Sequence, residues 1–191
     1  DSGGVANSGV DTTTLSVAST VAVATVNDAP TLTATAANPT FTEGLGAGVQ
    51  GAAVSVFSGA AASTVETGQT IPGLTFTGSG LVDGANETIV VDGKTITLGA
   101  TGSGTTTTNG LSYTATVSGG TATVVLSGGT LNATATQALV NGITYQNTNV
   151  DQPTAGNRVF TLTQVKDSGG VANSGVDTTT LSVASTVAVA T

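Results

Sequence analysis

The sequence has no Cys, Met, Trp or His, and only three basic residues, Lys94, Arg158 and Lys166. Each absence closes off chemistry. Without His or Cys, the Ser-His-Asp and Cys-His forms of nucleophilic catalysis and the usual zinc sites are excluded. Three cations against 11 acids, a formal net charge of -8, make neither a nucleic-acid footprint nor a patch for anionic lipid. With no Cys, no disulfide staples the fold and the compartment cannot be read from thiol usage. No apolar run reaches the ~18 residues of a membrane-spanning helix, so direct membrane insertion is not expected. There is no initiating Met and no signal peptide, and the chain reads as part of something longer. Of enzyme chemistries only a glycosidase-type carboxylate pair survives the composition, and it needs a cleft with two acids about 5–9 Å apart. The chain is therefore read as a non-enzyme.

What is present is Thr, Val, Ala and Gly. Charged residues are 7% of the chain and aromatics 3%. A disordered acidic chain carries more charge and fewer branched aliphatics, so this one is expected to fold around a light core. Its large anchors are Phe41, Phe57, Phe76, Phe160, Tyr113 and Tyr145.

The strongest signal is internal. Asp1 to Thr25 recurs letter for letter as Asp167 to Thr191, a period of 166 residues. That period is too long for a solenoid turn and is the size of a whole domain, so the parent is an array of tandem repeats, each with its own core. The boundary falls at Val26-Asn27-Asp28-Ala29-Pro30, where Pro30 forbids helix and biases Ala29 toward extended geometry. Residues 1–25 are then the last loop and strand of the preceding repeat. Residues 26–30 are the linker, and 31–191 form one complete repeat.

Nearly every structured stretch reads as β. Thr and Val are stiff, β-branched residues that suit a pleated surface. Alternation marks Thr31 to Ala36, Ile71 to Thr77 and Ile143 to Tyr145. Asp92-Gly93-Lys94 and Ser118-Gly119-Gly120 each separate two strand-like runs and predict hairpins. Val159 to Val165 and Thr178 to Ala190 complete the pattern, the last being about 43 Å long at ~3.3 Å per residue. One short helix is expected over Thr134 to Asn141, ended by Gly142. Some nine or ten turn-bounded strands predict an all-β, Ig-like sandwich, with a closed barrel as the alternative.

Most carboxylates lack a cationic partner, so their positions matter. Asp28 and Asn27 lie in the linker, Glu43 follows the first strand, and Asp167 opens the Gly-rich loop before the last strand. An Ig-like path is expected to bring Asp28, Glu43 and Asp167 to one pole. Calcium takes six to eight hard oxygen ligands, and uncompensated carboxylates held together repel. The alternative for each acid alone is a turn or a solvated loop. Asp83, in Leu81-Val82-Asp83-Gly84-Ala85-Asn86-Glu87, is a second candidate ligand or the turn before a strand; the EF-hand pattern is absent. Asp151, before Gln152-Pro153, reads equally as turn or ligand. Asp92 is read as the hairpin turn, Glu66 and Asp177 as solvated, and Arg158 as one partner of a surface ion pair that contributes little. The Gly-Gly pieces are turns, since no Lys follows and no helix opens as in a phosphate loop. The scattered Thr-x-Thr runs do not form the regular array of an ice-binding face.

Several segments together resemble the bacterial cadherin-like Ig repeats of giant type I-secreted adhesins of the RTX class. They are Ile143-Thr144-Tyr145-Gln146-Asn147-Thr148, Pro153 to Leu162, Val165-Lys166-Asp167-Ser168-Gly169-Gly170, the linker Val26 to Pro30, and Phe41-Thr42-Glu43-Gly44. The resemblance implies a cadherin-like sandwich acting as a structural extender on the bacterial cell surface. It implies calcium at the junction between neighbouring identical repeats, held by Asp28, Glu43 and Asp167. The paired Asp motifs of animal cadherins are missing. The competing function is a module that itself grips a glycan or host surface, against which the scarcity of aromatics counts. Because residues 1–25 duplicate the last strand, strand exchange with another chain is a further expectation.

Overall fold

The computed structural model describes residues 1–191. It is an all-β sandwich with one α-helix. The elements are β1 (Thr31–Ala36), β2 (Thr40–Thr42), β3 (Val54–Ser55), β4 (Phe57–Ser63), β5 (Gly73–Ser79), β6 (Glu87–Val91) and β7 (Lys94–Thr97). They continue as β8 (Gly102–Thr105), β9 (Ser112–Ser118), β10 (Thr121–Ser127), α1 (Ala133–Asn141), β11 (Thr144–Asn147), β12 (Gly156–Lys166) and β13 (Thr178–Ala190). A seven-stranded sheet has the order β2-β13-β12-β5-β10-β9-β8; a four-stranded sheet, β3-β11-β6-β7, faces it, and β1 pairs with β4 alone.

Period-two alternation builds the core. In β5, Leu74 and Phe76 point inward, and in β10 Ala122, Val124 and Leu126 do the same. The two sheets meet through aromatic contacts. Tyr145 of the smaller sheet lies edge-on to Phe41 at 5.8 Å and tilted against Phe160 at 5.5 Å, both on the larger sheet. All three rings are fully buried. Where Phe160 pairs across to β5 its partner is Gly78, and a Cβ there would lie 2.7 Å from the ring. The 28 buried apolar residues of the core all fall between Leu32 and Val189, so the core closes without residues 1–25.

The expected hairpins form. Asp92 and Gly93 have φ of 50° and 75° between paired Val91 and Lys94, the signature of a type I′ turn. Gly119 and Gly120, with φ of 56° and 73°, join Ser118 to Thr121 in the same way. The helix begins at Ala133, one residue before the expected start, because the Asn132 side chain caps it by accepting the Ala135 N–H at 2.8 Å. The strand count is thirteen, above the nine or ten expected. The extra strands are short or poor in β-formers. β8 is Gly-Ser-Gly-Thr, and β4 is Phe-Ser-Gly-Ala-Ala-Ala-Ser. Both exist through their partners, β9 and β1.

β13 runs from one end of the sandwich to the other. Its beginning, Thr178 to Thr180, pairs with Lys166 to Gln164, and its end, Val187 to Val189, pairs with Arg158 to Gly156. This defines two poles. The N-terminal pole holds the linker, the start of β1, and the loops after β4 and between β12 and β13. The C-terminal pole holds the end of β13 and the loop after β2. Thr12 to Ala24, expected as the last strand of the preceding repeat, makes no strand here, and Leu15, Val17, Val21 and Val23 stand in solvent.

Candidate ion sites at the two poles

At the N-terminal pole the linker is tied down rather than loose. Asn27 is buried, and its Nδ2 donates to Asp167 Oδ1 at 3.0 Å and to the Val176 carbonyl at 2.7 Å. Its Oδ1 accepts from Gln69 Nε2 at 2.6 Å. The next residue, Asp28, donates its backbone N–H to Glu66 Oε1 at 2.7 Å. Asp167 itself is 1% exposed, and its Oδ1 also accepts the Gly169 N–H. Its loop is clamped to the loop after β4, since Ser168 N–H donates to the Thr70 carbonyl and Thr70 N–H to Ser168 Oγ. Three side-chain oxygens at this pole are buried without a hydrogen-bond partner: Asp167 Oδ2, Glu66 Oε2 and Gln69 Oε1. A buried acceptor with no donor costs about 1–3 kcal/mol, more when charged, so three gathered around one linker need a physical reason.

Glu66, expected to be solvated, is therefore part of this cluster together with Gln69. The local sequence gives no sign of it. Both reach the linker only because the β1–β4 pairing brings the loop after Ser63 beside Thr31.

Glu43 corrects the expected convergence. It follows Thr42, which pairs with Ala190 at the far end of β13, so it sits at the C-terminal pole, away from Asp28 and Asp167. The reason is the direction of β2, which lies parallel to β13 and so delivers Glu43 to the end where β13 finishes. Within this chain no three carboxylates come together around a common point. Glu43 also carries a buried oxygen, Oε2, with no hydrogen-bond partner. Nearby, Asp151 accepts the Gly48 N–H at 2.7 Å and pins the loop after β2.

Asp83 is committed elsewhere. Its Oδ2 accepts from Arg158 Nη2 at 3.2 Å, from Asn147 Nδ2, and from the Thr154 N–H at 2.9 Å. Gly84–Asn86 is a 3-10 turn leading into β6, the turn-before-strand role. Arg158, expected at the surface, is 1% exposed. Its Nε donates to Glu87 Oε1 at 2.6 Å, and the Tyr145 hydroxyl donates to the same oxygen at 3.3 Å. Burial pushes the Glu87 carboxyl above its ordinary range, against the opposing pull of Arg158. Burial also pushes Asp83 upward, but hydrogen bonds from Thr154 and Asn147 and the guanidinium outweigh it and leave the carboxyl low. Burial, and next the Glu87 carboxylate, raise the Tyr145 phenol. This cluster is a structural core of charge in which Arg158 bridges Asp83 and Glu87, with Glu87 Oε2 left buried and without a donor.

Asp92 does more than turn the hairpin. It is buried, and its carboxylate accepts from the Thr106 hydroxyl, the Asn109 N–H and the Asn109 side-chain amide, pinning the loop after β8. Asp177 is paired with Lys166 at 2.9 Å; the Lys166 hydrogen bond first, and Thr178 next, hold its carboxyl low.

The largest depression, about 350 Å³, lies over β5, β10 and β12 and is lined by Pro72, Leu74, Thr75, Val125, Gln164 and Lys166 among others. No aromatic ring is in its lining for a sugar to stack on. No protein-family model matches the chain, and no curated protein matches it at a significant level.

Proposed function

We propose that this chain is an extender repeat of a bacterial surface adhesin, outside the cell, whose tandem copies are held in line by calcium at their junctions. In the array, Thr12 to Ala24 is the last strand of the preceding repeat. That repeat's C-terminal pole then lies beside the N-terminal pole described above. Glu43 of one repeat and Asp28, Glu66 and Asp167 of the next would thus meet between repeats, not inside one. The reading is carried by one observation: a sequence that repeats letter for letter across the linker Val26 to Pro30, whose pole gathers buried oxygens with no donor.

The donor set suits the ion. Carboxylate and amide oxygens are hard ligands, and calcium accepts six to eight of them in flexible geometry. Asp28, Asp167, Glu66, Asn27 and Gln69, with Glu43 from the preceding copy, are the residues that would hold it. The bound cation would supply the positive charge that Asp167, Glu66 and Glu43 lack, since Lys166 and Arg158 are paired with other carboxylates, and would cross-link two repeats. The test is a melting curve of a chain of several repeats with calcium and with chelator, together with its X-ray scattering dimensions. A melting temperature raised by calcium and a longer, stiffer particle are expected. Equal melting and equal dimensions in both conditions would overturn the reading.

A further inference from the structure

The two poles also carry apolar side chains that no part of their own repeat covers. At the C-terminal pole the loop Gly44-Leu45-Gly46-Ala47-Gly48-Val49 carries Leu45, which is 95% exposed. Gly46 and Gly48 have φ of 102° and 73°, so the backbone on that side of the leucine is shaped by residues that tolerate left-handed geometry. Val49 follows, half exposed. At the N-terminal pole Val26, Val65, Val171 and Val176 are each more than half exposed. Val65 is held at φ 69°, a conformation a β-branched residue rarely adopts and one that marks a constrained position. Scattered single apolar residues on a surface need no explanation, but these lie at the two ends of the sandwich that tandem repetition brings together.

Resting on the repeat reading but not on calcium, we infer that the poles dock: Leu45 of one repeat seats among Val26, Val171 and Val176 of the next. The occupant of each face is a second copy of this repeat. Three facts support this. The sequence that ends the repeat at Thr191 is the same that precedes the linker at Thr25. Only five residues, 26–30, separate that end from β1. And the residue before the linker lies against this pole, since Asn173, in the loop carrying Val171 and Val176, donates its side-chain amide to the Thr25 carbonyl at 3.3 Å. In a full preceding repeat, the strand ending at that threonine is flanked by β2, whose continuation is the Leu45 loop.

The test uses Leu45→Trp, since the chain has no other Trp and the signal belongs to one site. The substitution is placed in the 191-residue chain and in the first repeat of a two-repeat chain, each with calcium and with chelator. In the two-repeat chain a blue-shifted emission protected from acrylamide is expected, and in the single-repeat chain a red emission open to the quencher. Val171→Asp with Val176→Asp in the second repeat should return the red emission. A shift seen only with calcium supports docking; a shift without any calcium effect on melting keeps docking and removes the calcium reading. Red emission in both chains under both conditions overturns the inference, as does equal blue emission in the single repeat.

Discussion

Replacing Arg158 by Met tests whether the charge buried near the C-terminal pole is an integral part of the fold. Arg158 and Glu87 are 1% and 0% exposed, and Glu87 Oε2 already lacks a donor. Methionine fills much of the same volume but leaves Glu87 without a cation. Breaking a buried pair from one side costs about 3–5 kcal/mol. For a domain of this size each kcal/mol lowers the melting temperature by about 2–4 °C, so a drop of roughly 6–20 °C is expected. Urea unfolding read by circular dichroism gives the free energy directly. The deficit should depend on pH in a definite direction. The Glu87 carboxyl is already raised above its unfolded value, so its favourable share of stability is complete below the unfolded value and is lost as pH rises through the folded one. Removing Arg158 raises the folded value further, so the gap between variant and parent should widen from acid to neutral pH. The double variant Arg158→Met with Glu87→Gln, which buries no charge at Glu87, should recover part of the loss at neutral pH. A loss under about 1 kcal/mol that does not change with pH would refute the reasoning.

Asp167→Asn should abolish most of the calcium-dependent rise in melting temperature of a multi-repeat chain while changing the chelated chain by less than about 1 kcal/mol, because the carboxylate has no cation partner within its own repeat; calorimetry with and without chelator reads both. Gly78→Ala should destabilise by about 1–3 kcal/mol through collision with the Phe160 ring, and denaturant unfolding at unchanged m-value checks it. Deleting residues 1–25, whose side chains are almost all exposed, should shift stability by less than about 0.5 kcal/mol in a melt of the single-repeat chain. A larger fall would mean that this segment packs on the sandwich.

Features whose cause lies within a few residues were legible in the sequence. The Asp92-Gly93 and Gly119-Gly120 turns need positive φ and carry residues that tolerate it. The short helix is set by its apolar spacing, and β13 by a run rich in Thr and Val whose aliphatic residues Leu181, Val183, Val187 and Val189 recur at every second position except at Ser185. Features made by distant pairing were not. β4 and β8 have the composition of loops and become strands only beside β1 and β9. The site divides in the same way. Asn27, Asp28 and Asp167 were recognisable as a polar group at one pole. Glu66 and Gln69 join them through a β1–β4 register that no local pattern records. Glu43 leaves them because β2 runs parallel to β13, a choice of direction the residues of Thr40–Thr42 do not carry. Arg158 reads as an ordinary strand-opening charge because its partners, Asp83 and Glu87, lie 75 and 71 residues earlier.

The duplicated segment separates the two kinds of information within one molecule. Ala6–Ser8 and Ala172–Ser174 form the same 3-10 turn, with Asn7 at φ 55°, ψ 41° and Asn173 at φ 55°, ψ 32°. Each turn closes its own hydrogen bond, Gly9 N–H to the Ala6 carbonyl and Gly175 N–H to the Ala172 carbonyl, so the sequence alone suffices. The residues that follow are also identical, yet Thr178–Ala190 is a 13-residue strand and Thr12 to Ala24 is none. A strand's hydrogen bonds end on another strand. For the second copy β12 and β2 supply those partners and the core takes Val187 and Val189; for the first copy no neighbouring strand is at hand, and the same side chains remain in water.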